Sequence, residues 1–90
     1  MIRAPFPTEA DIRDWCIDYL AGTMEIPAAD IDVDVKFSRL GMDSASSAHF
    51  ILELEQWLGI ELDLEVTGSH PTIAKLANYI RARYLAGDTA

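Results

Sequence analysis

The chain reads as an all-α, four-helix bundle with three substantial helices, one short helix and a long first connection. Three observations predict it. Apolar residues recur at the three- and four-residue spacing of a helical face in three separate stretches. Prolines and glycines punctuate those stretches rather than forming a linker. The one stretch with strand-like alternation has no second strand to pair with.

The first helix starts after the N-cap Thr8, with Glu9 and Asp11 in the first turn, where the helix dipole favours acids. Ile12, Trp15, Cys16, Tyr19 and Leu20 make its buried face, and Gly22 is expected to end it. Thr23 to Asp43 breaks the pattern. Its alternating Asp30-Ile31-Asp32-Val33-Asp34-Val35 is taken as a loop, pinned to the core by Ile31, Val35, Phe37 and Leu40. Asp43 caps a helix over Ser44 to Leu58 that Gly59 closes. An extended segment follows, with Leu62 buried, and 64–69 has room for about a turn of helix. Pro71 is expected to start the last helix, whose apolar face is Ile73, Leu76, Ala77, Ile80 and Tyr84. The expected organisation is an N-terminal extension over 1–7, one domain over 8–85 and a tail over 86–90.

The size is that of one domain: ninety residues, half of them apolar, build one core but hardly a deep substrate cavity. A formal net charge of −8 argues against nucleic acid and anionic lipid, both of which need clustered Lys and Arg, and favours a basic protein partner. The single Cys16 forms no internal disulfide and fits a reducing compartment; on the apolar face it is expected to be buried and inert. With neither a signal-like leader nor a membrane-length apolar run, a cytoplasmic monomer is expected.

The helix after Asp43 carries two faces. Ser47, Phe50, Ile51, Leu54 and Leu58 form the packed stripe. Opposite lie Ala45, Ala48, His49, Leu52, Glu55 and Gln56, a face of small and aliphatic residues rimmed by polar ones that suits docking of another protein; Met42, just ahead of the helix, is assigned to the same surface. Ser44, in the first turn, puts a hydroxyl near unpaired backbone N–H groups, a setting that stabilises an attached phosphate.

The run Phe37-Ser38-Arg39-Leu40-Gly41-Met42-Asp43-Ser44 resembles the Phe-x-x-Leu-Gly-x-Asp-Ser signature of acyl carrier proteins. The likeness continues in Leu54-Glu55 and in His70-Pro71-Thr72-Ile73-Ala74-Lys75-Leu76-Ala77. The resemblance implies that a phosphopantetheinyl transferase moves 4′-phosphopantetheine from coenzyme A onto Ser44, beside Asp43. The thiol of that arm then holds acyl groups as thioesters. It implies further partners: an acyl-loading ligase or acyltransferase, and ketosynthase or condensation-type acceptors of polyketide, lipopeptide or fatty acid biosynthesis. Such a chain is a substrate of enzymes and has no catalytic residue of its own. Asp43 before the serine is more similar to acyl than to peptidyl carriers. Ala45 and His49 depart from the leucine and acid common at those places in the family, which leaves the docking face less bulky and less acidic. The alternatives are a peptidyl carrier domain and an unmodified helical adaptor.

Other motifs carry less. Asp30-x-Asp32-x-Asp34 opens like an EF-hand loop but has Val35 where glycine is needed and Gly41 where a bidentate glutamate belongs, so no metal site is expected. Ser44 and His49 are five residues apart and point about 140° apart on a helix, which rules out a hydrolase pair. His70 is expected to act locally, ahead of Pro71.

Overall fold

The computed structural model describes residues 7–85, with side chains described through Arg83. The expected extension over 1–7 lies outside them except for Pro7, as do the tail over 86–90 and the side chain of Tyr84. Four α-helices follow in order: α1 over Glu9–Met24, α2 over Ser44–Leu58, α3 over Val66–Ser69 and α4 over Ile73–Ile80, the last continuing as a π turn over Arg81–Leu85.

Helix α1 begins with a reciprocal cap. The Thr8 hydroxyl accepts from the Asp11 N–H at 3.1 Å, and the Asp11 carboxylate accepts from the Thr8 N–H at 3.0 Å. Its end corrects the expectation. The helix runs through the exposed Gly22 to Met24 and stops where Glu25 turns left-handed, with φ 58°. Carrying the helix past Gly22 costs about 1 kcal/mol relative to alanine; it brings Met24 and Ile26 against the core, which offsets that cost.

The long connection holds two short 3₁₀ turns, Ala28–Asp30 and Phe37–Leu40, and a single antiparallel bridge between Lys36 and Thr72. Phe37 N–H donates to the Pro71 carbonyl at 2.8 Å, and Ala74 N–H donates to the Val33 carbonyl at 2.9 Å. The loop is thus tied to the start of α4 through backbone groups. Ile31 and Phe37 are buried and Leu40 packs half-buried on the core; of the two valines it is Val33, not the expected Val35, that packs there, next to its carbonyl's bond to Ala74.

Pro71 does not start α4. The cap is Thr72, whose hydroxyl accepts from the Lys75 N–H at 3.1 Å, and Pro71 stays outside because its carbonyl serves the loop. One core joins the elements: Ile12, Cys16 and Leu20 of α1, Phe50, Ile51 and Leu54 of α2, and Ile73, Leu76, Ala77 and Ile80 of α4 have no exposed surface. Val66 brings α3 onto it, and Leu62 anchors the extended segment. Burial pushes the Cys16 thiol up to about 12, so it is neutral and unreactive at physiological pH.

Candidate functional site at the start of helix two

The site is built by a glycine turn followed by a cap. Phe37–Leu40 ends at Gly41, which turns left-handed at φ 97° and donates its N–H to the carbonyls of Phe37 and Ser38. That reversal sends Met42 inward and leaves Asp43 at the mouth of α2. The Asp43 carboxylate accepts from the Ser46 N–H at 2.9 Å and from the Ser46 hydroxyl at 2.9 Å, while the Asp43 N–H donates to the Ser46 hydroxyl at 2.8 Å. These bonds, the Ser46 backbone N–H first, hold the Asp43 carboxyl below its ordinary range, so it stays ionised.

Ser44 is the first helical residue. Its side chain is exposed and its hydroxyl takes no hydrogen-bond partner among the described residues. Its N–H, at the first helical position, lies among the amides that have no intrahelical acceptor. Beside it opens a surface groove of about 460 Å³ lined by Met42, Asp43, Ser47, Ala48, Leu64 and Thr67 as well as Ser44 itself. A second groove of about 250 Å³ shares Met42, Ser47 and Thr67 and reaches Phe37 and Pro71.

Of the residues assigned to docking, Ala45, Ala48, His49, Leu52 and Gln56 are exposed, and Leu52 keeps 48% of its surface. Two stand differently. Met42 is buried, 7% exposed, because the Gly41 turn points it into the core, where it edges both grooves. The Glu55 carboxylate accepts from the Leu62 N–H at 2.6 Å, so it fastens the segment after α2 to that helix.

Ser47, expected on the packed stripe, is half-buried and lines both grooves; its hydroxyl one turn after Ser44 is the signal that could have placed it there. Leu64, 62% exposed, and Thr67 complete the groove, and nothing in their own sequence places them opposite α2.

The family model described as a phosphopantetheine attachment site matches residues 14–80. The chain belongs to the phosphopantetheine-binding carrier proteins. This carrier is 28% identical over 79 residues to the acyl carrier protein TtuC of Teredinibacter turnerae, covering 88% of this chain and 91% of that one. It is 32% identical over 71 residues, 79% of this chain, to a stretch of a phenolphthiocerol/phthiocerol polyketide synthase of Mycobacterium tuberculosis, of which it spans only 4%. Among solved structures it is similar to Asl1650, an acyl carrier protein from Anabaena sp. PCC 7120 with a variant phosphopantetheinylation-site sequence. There the TM-score is 0.83 at 32% identity, over 94% of this chain and 97% of that one. Membership replaces the unmodified-adaptor alternative: the carrier bears a phosphopantetheine attachment site and is handled by a transferase and by assembly-line enzymes rather than acting as one. No helix among the described residues is long and apolar enough to cross a membrane.

Proposed function

We propose that Ser44 is the attachment residue and that the carrier holds acyl groups for a polyketide, lipopeptide or fatty acid assembly line in the cytoplasm. The observation that carries this reading is the exposed Ser44 hydroxyl, without a partner among the described residues, at the first position of α2 and beside a groove of about 460 Å³. When bound, the arm supplies a thiol that carries acyl groups as thioesters. The chain's own residues do the rest. Ser44 Oγ is the nucleophile towards the pantetheine-side phosphorus of the coenzyme A pyrophosphate; its P–O–P bond breaks, adenosine 3′,5′-bisphosphate leaves, and the positive end of α2 with its free amide favours the resulting phosphodiester. Asp43 fixes the helix start and is committed to Ser46. Because no side chain among the described residues hydrogen-bonds to the Ser44 hydroxyl, its proton leaves to a base of the transferase, which also brings the magnesium. Asp43 ahead of the serine favours acyl over peptidyl cargo.

The partners proposed are the transferase, an acyl-loading ligase or acyltransferase, and a ketosynthase or condensation-type acceptor, engaged through Ala45, Ala48, His49, Leu52 and Gln56 around the Ser44 groove. Incubation with coenzyme A, magnesium and a broad-specificity phosphopantetheinyl transferase, read by mass spectrometry, tests the attachment. One phosphopantetheinyl group should be gained by wild type and by Ser47→Ala, and none by Ser44→Ala. A gain retained in Ser44→Ala overturns the assignment.

A further inference from the structure

An aromatic stack crosses the seam between α1 and α2, and none of its rings lines the groove beside Ser44. Trp15 lies between two rings, Tyr19 at 5.3 Å and 11° and Trp57 at 5.3 Å and 9°. Phe50 joins Trp15 at 6.1 Å and Tyr19 at 5.4 Å, and Phe37 joins Phe50 at 5.5 Å, so the rings run from the core outwards. The outermost, Trp57, is 40% exposed. Phe50 and Trp15 are packed within the stack, whereas Trp57 at its end keeps part of its ring in water and so has surface left for a further contact.

The charges around it have one sign. Asp11 and Asp18, both exposed, stand four residues before and three after Trp15, so they flank it on the surface of α1. Glu53 stands four residues before Trp57 on α2. Helix α2 contains no Lys or Arg, and the one basic residue of α1, Arg13, is paired with Glu9 at 2.7 Å. It lies two residues from Trp15, about 200° around the helix. Among the described residues Glu53 is in ion-pair range of one basic side chain, His49, whose Nε2 sits 3.7 Å from a Glu53 oxygen while its ring lies 6.3 Å from Tyr19. That exposed contact is weak enough to give way to a guanidinium.

We propose that the Trp57–Trp15–Tyr19 stack, with Asp11, Asp18 and Glu53, is a second docking surface that takes a basic, arginine-bearing segment of a partner protein. A guanidinium stacked on the exposed part of Trp57 gains the ring's negative quadrupole and has Glu53, one helical turn before it, as its carboxylate partner. Lysine fits it less well, since a compact, strongly hydrated ammonium has no plane to stack. The surface is separate from Ser44. Thirteen residues of helix put Trp57 about 20 Å along α2 from Ser44, and Trp57 is turned about 140° from Leu52. A partner can therefore hold the carrier here while the Ser44 end stays free for an enzyme.

The test titrates 15N-labelled carrier, with unmodified Ser44, with a synthetic helical peptide bearing Arg at every fourth position, beside its Lys and Glu counterparts. The Arg peptide should move the indole N–H signals of Trp57 and Trp15, bind more tightly than the Lys peptide and weaken with added salt. The Glu peptide should not bind. Trp57→Ala and, independently, Glu53→Gln should each weaken the Arg peptide about tenfold; circular dichroism verifies that both fold, and Glu53→Gln leaves the stack in place. Leu52→Glu and Ser44→Ala should bind as wild type, so failure of the Ser44 assignment leaves this result intact. Absence of binding, binding unaffected by both variants, signals centred on the Leu52 face, or self-association of the carrier through Trp57 would each overturn the proposal.

Discussion

Asp43 and Ser44 divide the first turn of α2 between them. One carboxylate satisfies the Ser46 N–H and hydroxyl, while the neighbouring Ser44 hydroxyl is exposed and has no hydrogen-bond partner among the described residues. Because the folded-state pKa of Asp43 is depressed, its contribution to stability is present above the ordinary carboxylate pKa and is lost as pH falls through the lower folded value. Asp43→Asn keeps a capping oxygen but not the charge. Thermal melts of the two proteins should therefore differ at neutral pH, with wild type higher, and converge as the pH drops below about 4. A gap that stays constant across that range would mean that the charge contributes nothing. Asp43 and Ser44 are readable at this scale because cap and first-turn positions follow from adjacent residues. Glu55 is not, because its partner, the Leu62 N–H, lies seven residues on and beyond the helix end.

At the scale of the element, α2 presents three directions of different use. Phe50, Ile51, Leu54 and Leu58 face the core, Leu52 with Ala45, Ala48 and Gln56 faces solvent near the Ser44 groove, and Trp57 with Glu53 faces the α1 seam. Leu52→Glu places a charge where nearly half of the side chain already meets water, so its melting temperature should stay within a few degrees of wild type. Thioester transfer to at least one partner enzyme should fall about tenfold or more, as expected for an anchor at the centre of an interface. Transfer assays with several partners decide it; unchanged rates with all of them remove Leu52 from the docking face. Helix ends are legible unevenly. Gly59 closes α2 at φ 72°, as a left-handed glycine should, but Gly22 does not close α1, since the side chains beyond it, Met24 and Ile26, are worth burying. A glycine marks where a helix can stop, while contacts across the core decide whether it does.

At the scale of the whole molecule, Phe50 is the hub. It touches Trp15, Tyr19 and Phe37 and has no exposed surface, so it joins α1, α2 and the long connection. Phe50→Ala should cost roughly 3–5 kcal/mol, a large share of the stability of an ordinary small domain. Urea unfolding followed by tryptophan fluorescence measures it, and a loss under about 1 kcal/mol would show that the aromatic chain does not hold the fold together. The sequence by itself determined the all-α class, the three long helical faces, the Asp43 cap and the Ser44 position, because each rests on chemistry repeated within a few residues of the chain. Tertiary structure alone decided where the long connection is tied, through Val33 and Phe37 to the start of α4. It also decided that Met42 turns inward, that Leu64 and Thr67 meet Ser44 across a groove, and that Trp57 stacks on Trp15. Those pairings join residues distant in the chain, and their geometry depends on how helices pack, which no local pattern of side chains encodes.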